Sequence, residues 1–260
     1  MAEKNTLIFV GYGSMAKAIA CGIYNSNLKS KYHLEIAGRD SKKAQHFIDC
    51  NHLGDIAKIY QSCCEINVDQ KIVILCLKPY ALGNFKYIGN ANSVYSVMAG
   101  VGIQTLKQHI HSGGYAKLMP NVGARYQKSS TAVFVEGDIK QEAQEILSSF
   151  GSAVFVDSES LVDASIATGG SSPAFLALVA QAIIDAGVRE GLRRDDALKL
   201  VRATFEGFAS LMNEQTPDEI ISSITSPGGT TVEGLYVLED RAVRGAFIQA
   251  CHEAVAKSKK

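Results

Sequence analysis

The order of apolar and polar positions divides this chain into two parts. From the N-terminus to about Asp157, short apolar runs alternate with amphipathic stretches. Leu7–Val10, His33–Ala37, Ile72–Leu77, Ser93–Met98 and Tyr115–Met119 read as strands. Ile72–Leu77 is apolar without a break, as a strand covered on both faces requires. Ser14–Tyr24, Ser41–Cys50 and Ile103–His111 carry apolar residues at helical spacing, and Thr131–Val135, Glu142–Phe150 and Ala153–Val156 continue the alternation. Strands that alternate with helices predict a parallel sheet of βαβ units. Past Asp157 the strand signals stop, and helical periodicity covers Ser160–Thr168, Ser171–Glu190, Arg194–Asn213, Pro217–Ser223 and Thr230 to the end. The predicted fold class is α/β, with an α/β domain over 1–157 followed by an all-α domain over 158–260.

The helical part is short of material for a core of its own. Phe175, Leu176, Leu178, Val179, Ile183 and Ile184 cover more than one helical face, and a domain of about 100 residues buries a limited share of its surface. A second copy is the expected cover, giving a homodimer through this part. The alternative is that the helices fold back on their own sheet.

Charge narrows the partners: 26 Lys+Arg against 26 Asp+Glu leaves no bulk field for nucleic acid or an anionic membrane. MAEKNTLIFV has no small-residue cleavage site, so no signal peptide is expected. The longest apolar stretch, Pro173–Ile184, is broken by Gln181 and falls short of the ~20 residues of a membrane span. The six cysteines (Cys21, Cys50, Cys63, Cys64, Cys76 and Cys251) show no CxxC pair, so no metal is expected and a cytoplasmic location follows. Cys63–Cys64 reads as two helix residues, with a redox pair as the alternative.

The first strand runs straight into GYGSMA. Gly11, Gly13 and Ala16, between a strand and a helix, fit the G-x-G-x-x-G/A turn that receives a pyrophosphate on a helix N-terminus, with Ser14 and Met15 opening that helix. The second strand ends in AGRDSKK. Where an acidic residue would accept bonds from a free ribose, this chain places Arg39 and then Ser41, a guanidinium and a hydroxyl suited to a 2′-phosphate. NADPH is therefore expected over NADH. Asp40 either turns toward the ribose or caps the following helix. LCLKPYAL ends a strand at Lys78–Pro79, at the sheet edge where ligands bind in open α/β folds. MAGV and MPNV end two more strands, adding Ala99, Gly100 and Asn121 as candidate cofactor contacts.

Near the C-terminus stands SPGGTTVEGL. Ser226, Pro227, Gly228, Gly229, Thr230 and Thr231 place bare backbone and hydroxyls ahead of a helix. Uncapped amides at Gly228, Gly229 and Thr230 would grip a small carboxylate with the help of the helix dipole. The alternative is a plain N-cap by Ser226 or Thr230, with Pro227 early in the helix.

ATGGSSPAFL (167–176), DAGVREGLRRDDAL (185–198), SPGGTTVEGLYVLED (226–240) and VRGAF (243–247), together with GYGSMA, LCLKP and MPN in the same order, resemble the pyrroline-5-carboxylate reductases. That resemblance implies a Rossmann domain, an interleaved helical dimerisation domain, and further assembly of dimers. It also implies reduction of 1-pyrroline-5-carboxylate to L-proline by NADPH, with NADH usable, in the last step of proline biosynthesis. The family's matching threonine is Thr231, whose hydroxyl would meet the substrate's carboxylate or ring nitrogen. The chain departs from the family's pattern at Val122 and Gly123, where Thr-Pro is usual, and at Ser172 and Phe175. A non-catalytic NADPH sensor, or a reductase of another cyclic imine, are the alternative functions. A β-hydroxyacid dehydrogenase is disfavoured on chemistry. Such an enzyme needs a catalytic lysine on its first long helix after the sheet, and Ser171–Glu190 has none. No strong general acid is evident for the imine nitrogen, which leaves Thr231 or a water as proton source, or a substrate that arrives protonated.

Overall fold

The computed structural model describes residues 4–61 and 65–258. Cys63 and Cys64, with the redox alternative attached to them, lie outside the described residues. The chain forms two compact units, one running to Ser171 and regaining the chain's end from Ala254, the other spanning Ser172–Glu253.

The first unit is an eight-stranded sheet. Its strands are β1 (Asn5–Val10), β2 (Tyr32–Ala37), β3 (Ala57–Ile59), β4 (Ile72–Leu75), β5 (Ser93–Ser96), β6 (Tyr115–Met119), β7 (Ser129–Glu136) and β8 (Gly151–Phe155). They lie in the order β3-β2-β1-β4-β5-β6-β7-β8. All neighbours are parallel except β6 and β7, which pair antiparallel with Lys117 opposite Phe134. β1 and β4 are buried at the centre, in keeping with their unbroken apolar runs. Helices α1 (Ser14–Tyr24), α2 (Ser41–Cys50), α3 (Ile103–His109), α4 (Lys140–Ser148) and α5 (Glu159–Ala164) belong to this unit, as do two short two-stranded ladders, Glu65–Asn67 with Lys86–Ile88 and Asn90–Ala91 with His111–Ser112. One apolar cluster joins Phe9, Ile19, Leu34, Phe47 and Phe150; a second joins Ile8, Val73, Val94, Ile103 and Leu106. Apolar residues that alternate along β1 therefore feed opposite faces of the sheet.

Three differences from the sequence reading have local causes. β3 was not expected, because three residues with an exposed lysine at the centre show no period. The helix expected over Ser160–Thr168 ends at Ala164 and passes into a π turn, Ile166–Gly170, whose paired glycines loosen the backbone. The helical tail expected from Thr230 onward breaks at Ala242, where φ is +53°.

The second unit holds α6 (Ser172–Arg189), α7 (Arg194–Leu211), α8 (Pro217–Ile224), α9 (Thr230–Asp240) and most of α10 (Val243–Ser258). α6 and α7 pack through Ile184, Ala197 and Val201. α8 starts with a capping box: Thr216 accepts from the Glu219 amide, and the Glu219 carboxylate accepts from the Thr216 amide at 2.8 Å. Neither α9 nor α10 contains a buried residue among those described.

Glu159–Arg189 taken together is long and apolar enough to cross a membrane by length and composition. The run is longer than Pro173–Ile184 suggests because α5 and the π turn add Leu161, Val162 and Ile166 ahead of α6.

Candidate active site

In the sheet order, β2 and β3 lie on one side of β1, while β4, β5 and β6 lie on the other. A crevice opens at the carboxyl ends of the strands where the winding reverses. Here it is a cleft of about 240 Å³ lined by Gly11, Tyr12, Gly13, Arg39, Leu77 and Lys78, among others. Gly11 and Gly13, Arg39, and Lys78, from three separate sequence motifs, thus line one cleft, while Ser14, Met15, Ser41 and Pro79 are not among its lining residues.

Gly11 ties that cleft together. Its amide donates to the carbonyl of Ala37 at the end of β2, 2.8 Å away. Its φ is +106°, and a Cβ there would stand 2.7 Å from the carbonyl oxygen of Cys76. No side chain fits this approach. Gly13 is the N-cap of α1 with no side-chain cap, and a Cβ on it would meet nothing within 4 Å. The start of α1, Ser14 and Met15, is therefore open to an anion, with Met15 leaning on the sheet core and Ala16 fully buried. The residues fit a dinucleotide: a tight turn, bare amides at a helix start, and no carboxylate among the cleft's lining side chains.

Arg39 is exposed and has no ion-pair partner among the described residues. Asp40 resolves to the capping alternative, its carboxylate accepting from the Lys43 amide at 3.1 Å. Ser41 is the exposed first residue of the capped helix. Lys78 caps the short 3₁₀ turn that begins with Pro79, and its ammonium makes no cap bond. Desolvation pushes the Cys76 thiol far above its ordinary range, keeping this cleft-lining group neutral.

Ala99, Gly100 and Asn121 do not line this cleft; they follow β5 and β6 farther along the edge. Ala99 and Gly100 form an exposed turn with Gly100 at φ +74°. The Asn121 side chain is engaged within the protein. Its Oδ1 accepts from the Gly123 amide at 2.9 Å, and its Nδ2 donates to the Gly169 carbonyl at 3.2 Å. Tyr12 was not singled out in the sequence, since it occupies a variable position of the glycine turn. Its ring lies directly on Gly38, where a Cβ would collide with the ring.

In the helical unit, Ser226–Gly229 forms a β-turn. The Gly229 amide donates to the Ser226 carbonyl at 2.9 Å, Pro227 takes the second position, and Gly228 takes the third at φ +72°. This corrects the expected set of anion donors, because the Gly229 amide is used within the turn. It also disposes of the plain cap: the N-cap of α9 is Gly229 itself, without a side-chain bond, so neither Ser226 nor Thr230 caps. The amides of Gly228, Thr230 and Thr231 have no acceptor among the described residues. Thr231 is half-buried, and Ser226, Pro227, Gly228 and Thr230 are exposed.

The doubly wound sheet, its glycine turn and an arginine without an ion-pair partner among the described residues define a dinucleotide-binding protein. A family model described as NADP oxidoreductase, coenzyme F420-dependent, matches residues 6–93, and one described as pyrroline-5-carboxylate reductase dimerisation matches residues 159–260. The pyrroline-5-carboxylate reductase of Helicobacter pylori strain J99 is 45% identical over 96% of this chain and 98% of its own. That of Corynebacterium melassecola is 30% identical, covering 97% of each chain. Among solved structures, the 1-pyrroline-5-carboxylate reductase of Streptococcus pyogenes superposes with a TM-score of 0.82 at 27% identity, covering 98% of each chain. The NADP-bound pyrroline carboxylate reductase of Plasmodium falciparum gives 0.80 at 26% identity, covering 99% of this chain and 98% of its own. The chain belongs to the pyrroline-5-carboxylate reductase family.

Proposed function

We propose that this protein reduces 1-pyrroline-5-carboxylate to L-proline with NADPH, in proline biosynthesis. The observation that carries the substrate assignment is the uncapped start of α9. Three amides without acceptors among the described residues, a helix dipole and a glycine with no side chain suit one small carboxylate. Gly228, Thr230 and Thr231 supply the amides, Ser226 and Pro227 shape the turn, and the Thr231 hydroxyl orients the ring nitrogen.

When bound, NADPH supplies the hydride. Gly11, Gly13, Ser14 and Met15 receive its pyrophosphate, and Arg39 with Ser41 receives the 2′-phosphate. Lys78, Pro79, Ala99 and Gly100 border the remainder, and Asn121 shapes the edge through its bonds to Gly123 and Gly169. The nitrogen of a cyclic imine can arrive already protonated, so the site's work is placement and charge balance, with the Thr231 hydroxyl or a water as the proton source otherwise.

Residues 158–260 act as the dimerisation and substrate domain, a reading supported by the family model over 159–260. The exposed apolar residues of α6 and α9, including Leu178 and Tyr236, supply the face for a second copy. In this reading the apolar length of Glu159–Arg189 serves protein contact, not lipid, and the enzyme is a cytoplasmic homodimer that binds neither membrane nor nucleic acid. Further assembly of dimers is open to measurement of mass in solution.

The test is to add 1-pyrroline-5-carboxylate to purified protein with NADPH. Loss of NADPH absorbance, matched one for one by L-proline, is expected. Tight NADPH binding without consumption would favour a sensor, and faster turnover of a six-membered cyclic imino acid would reassign the substrate.

A further inference from the structure

β6 reads YAKLM, and all five residues are buried. Lys117 at its centre has a side chain only 3% exposed, on a strand where the pattern calls for an apolar residue. Burying an ammonium costs several kcal/mol unless it is well paired, and such pairs are weak grounds for stability in themselves. Lys117 is paired by Asp163 on α5, Nζ to Oδ2, at 2.8 Å. That hydrogen-bonded carboxylate is the closer of two facing the ammonium.

A second carboxylate stands beside it. Glu159, at the start of α5, has Oε2 3.9 Å from Lys117 Nζ, beyond hydrogen-bond reach. The same oxygen accepts from the amide of Ile103 at 3.0 Å. Ile103 is the first residue of α3, whose N-cap, Gly102, has no side-chain cap of its own. Glu159 therefore reaches across from another helix to fix the point where the turn Met98–Gly102 enters α3.

The rest of that turn is held as well. At one end, the Ser96 hydroxyl accepts from the Met98 amide at 3.3 Å. In the middle, the Ser258 carbonyl lies so close to Gly100 that a Cβ would come within 2.9 Å. Ala254 and Val255 pack with Met119, Val162 and Ile166, which seats the end of α10 there. The turn is thus gripped by β5, α5 and α10 while its outer face stays exposed.

We propose that Glu159, steadied by Lys117, is a positioning residue for the dinucleotide: it fixes the turn carrying Ala99 and Gly100 in the shape that receives the cofactor. This rests on reading Ala99 and Gly100 as cofactor contacts. Lys117 and Asp163 hold α5 against the sheet, and Glu159 transmits that fixed position to the amide of Ile103.

The test compares Glu159→Ala, Glu159→Gln and Lys117→Met with the parent. Glu159 is part exposed on the surface of α5, so its variants fold even if Lys117→Met does not. In dinucleotide-free protein, Glu159→Ala is expected to speed hydrogen exchange at the Ile103 amide about tenfold, the order expected for one lost hydrogen bond to a charged acceptor. NADPH Kd and KM should rise about fivefold to tenfold on the same ground, with kcat and the imino acid KM within about twofold. Glu159→Gln keeps an oxygen for Ile103 and should recover most of both effects. Unchanged NADPH affinity in Glu159→Ala overturns the proposal, whether or not exchange changes. Equal losses for NADPH and imino acid also overturn it. Failure of the functional reading looks different: the parent would bind NADPH without consuming it, and the Kd and exchange comparisons would still stand.

Discussion

In the sheet unit Phe9 and Tyr95 are sealed from solvent and Phe150 is 1% exposed, whereas in the helical unit Leu178, Tyr236 and Ile248 are 70%, 70% and 67% exposed. The two units have similarly apolar stretches yet different ends for them. A sheet covered by helices on both faces closes its own core in one chain. Five helices whose buried cluster among the described residues is Ile184, Ala197 and Val201 do not. The contrast teaches that the sheet unit is folded by its own contacts, and that the helical unit is shaped for contact with another copy.

The strongest way to break this comparison is to damage the sheet core. Phe9→Ala should cost about 3–5 kcal/mol in denaturant unfolding, by the same amount at every protein concentration. A concentration-dependent cost would mean that the sheet too relies on a partner. Next comes the helical face. Leu178→Asp would be nearly neutral on a true surface, within about 0.5 kcal/mol. In an apolar interface it should instead weaken the dimer by about 100-fold or more, seen as a smaller mass in light scattering and a Tm that falls on dilution. An unchanged mass would return Leu178 to the surface.

Two further variants separate the chemistry of the units. Arg39→Ala should raise the KM for NADPH by about 10-fold to 100-fold, the worth of a charge-assisted phosphate contact, and leave that for NADH unaltered. A parent that prefers NADH would remove the premise. Thr231→Ala has the smallest expected effect, a loss of about tenfold in kcat/KM for the imino acid with NADPH affinity retained. Parent-like turnover and affinity in that variant would take Thr231 out of the mechanism.

Much of this was legible in the residues because it is local. The run into GYGSMA requires a strand, a tight turn and a helix at once, and Gly11 at φ +106° is the conformation that such a glycine predicts. SPGGTT likewise announces its turn through Pro227 and Gly228. The unreadable parts depend on distant neighbours. Asp40 offered a ribose ligand or a cap equally well until the Lys43 amide was seen to take its carboxylate. Asn121 looked free in MPNV, but Gly123 and Gly169 engage both ends of its side chain. The Gly229 amide looked available until the turn closed on Ser226.

Composition, period and glycine placement by themselves determined an α/β sheet followed by helices, a glycine turn between the first strand and its helix, and a Pro-Gly turn ahead of α9. These follow from backbone sterics and from spacing within a few residues. Only the tertiary structure decided that Lys117 on β6, Asp163 and Glu159 on α5, and the amide of α3 meet at one point. Residues 46 and 56 positions apart in the chain pair there, and no local pattern encodes which buried charge will find which partner.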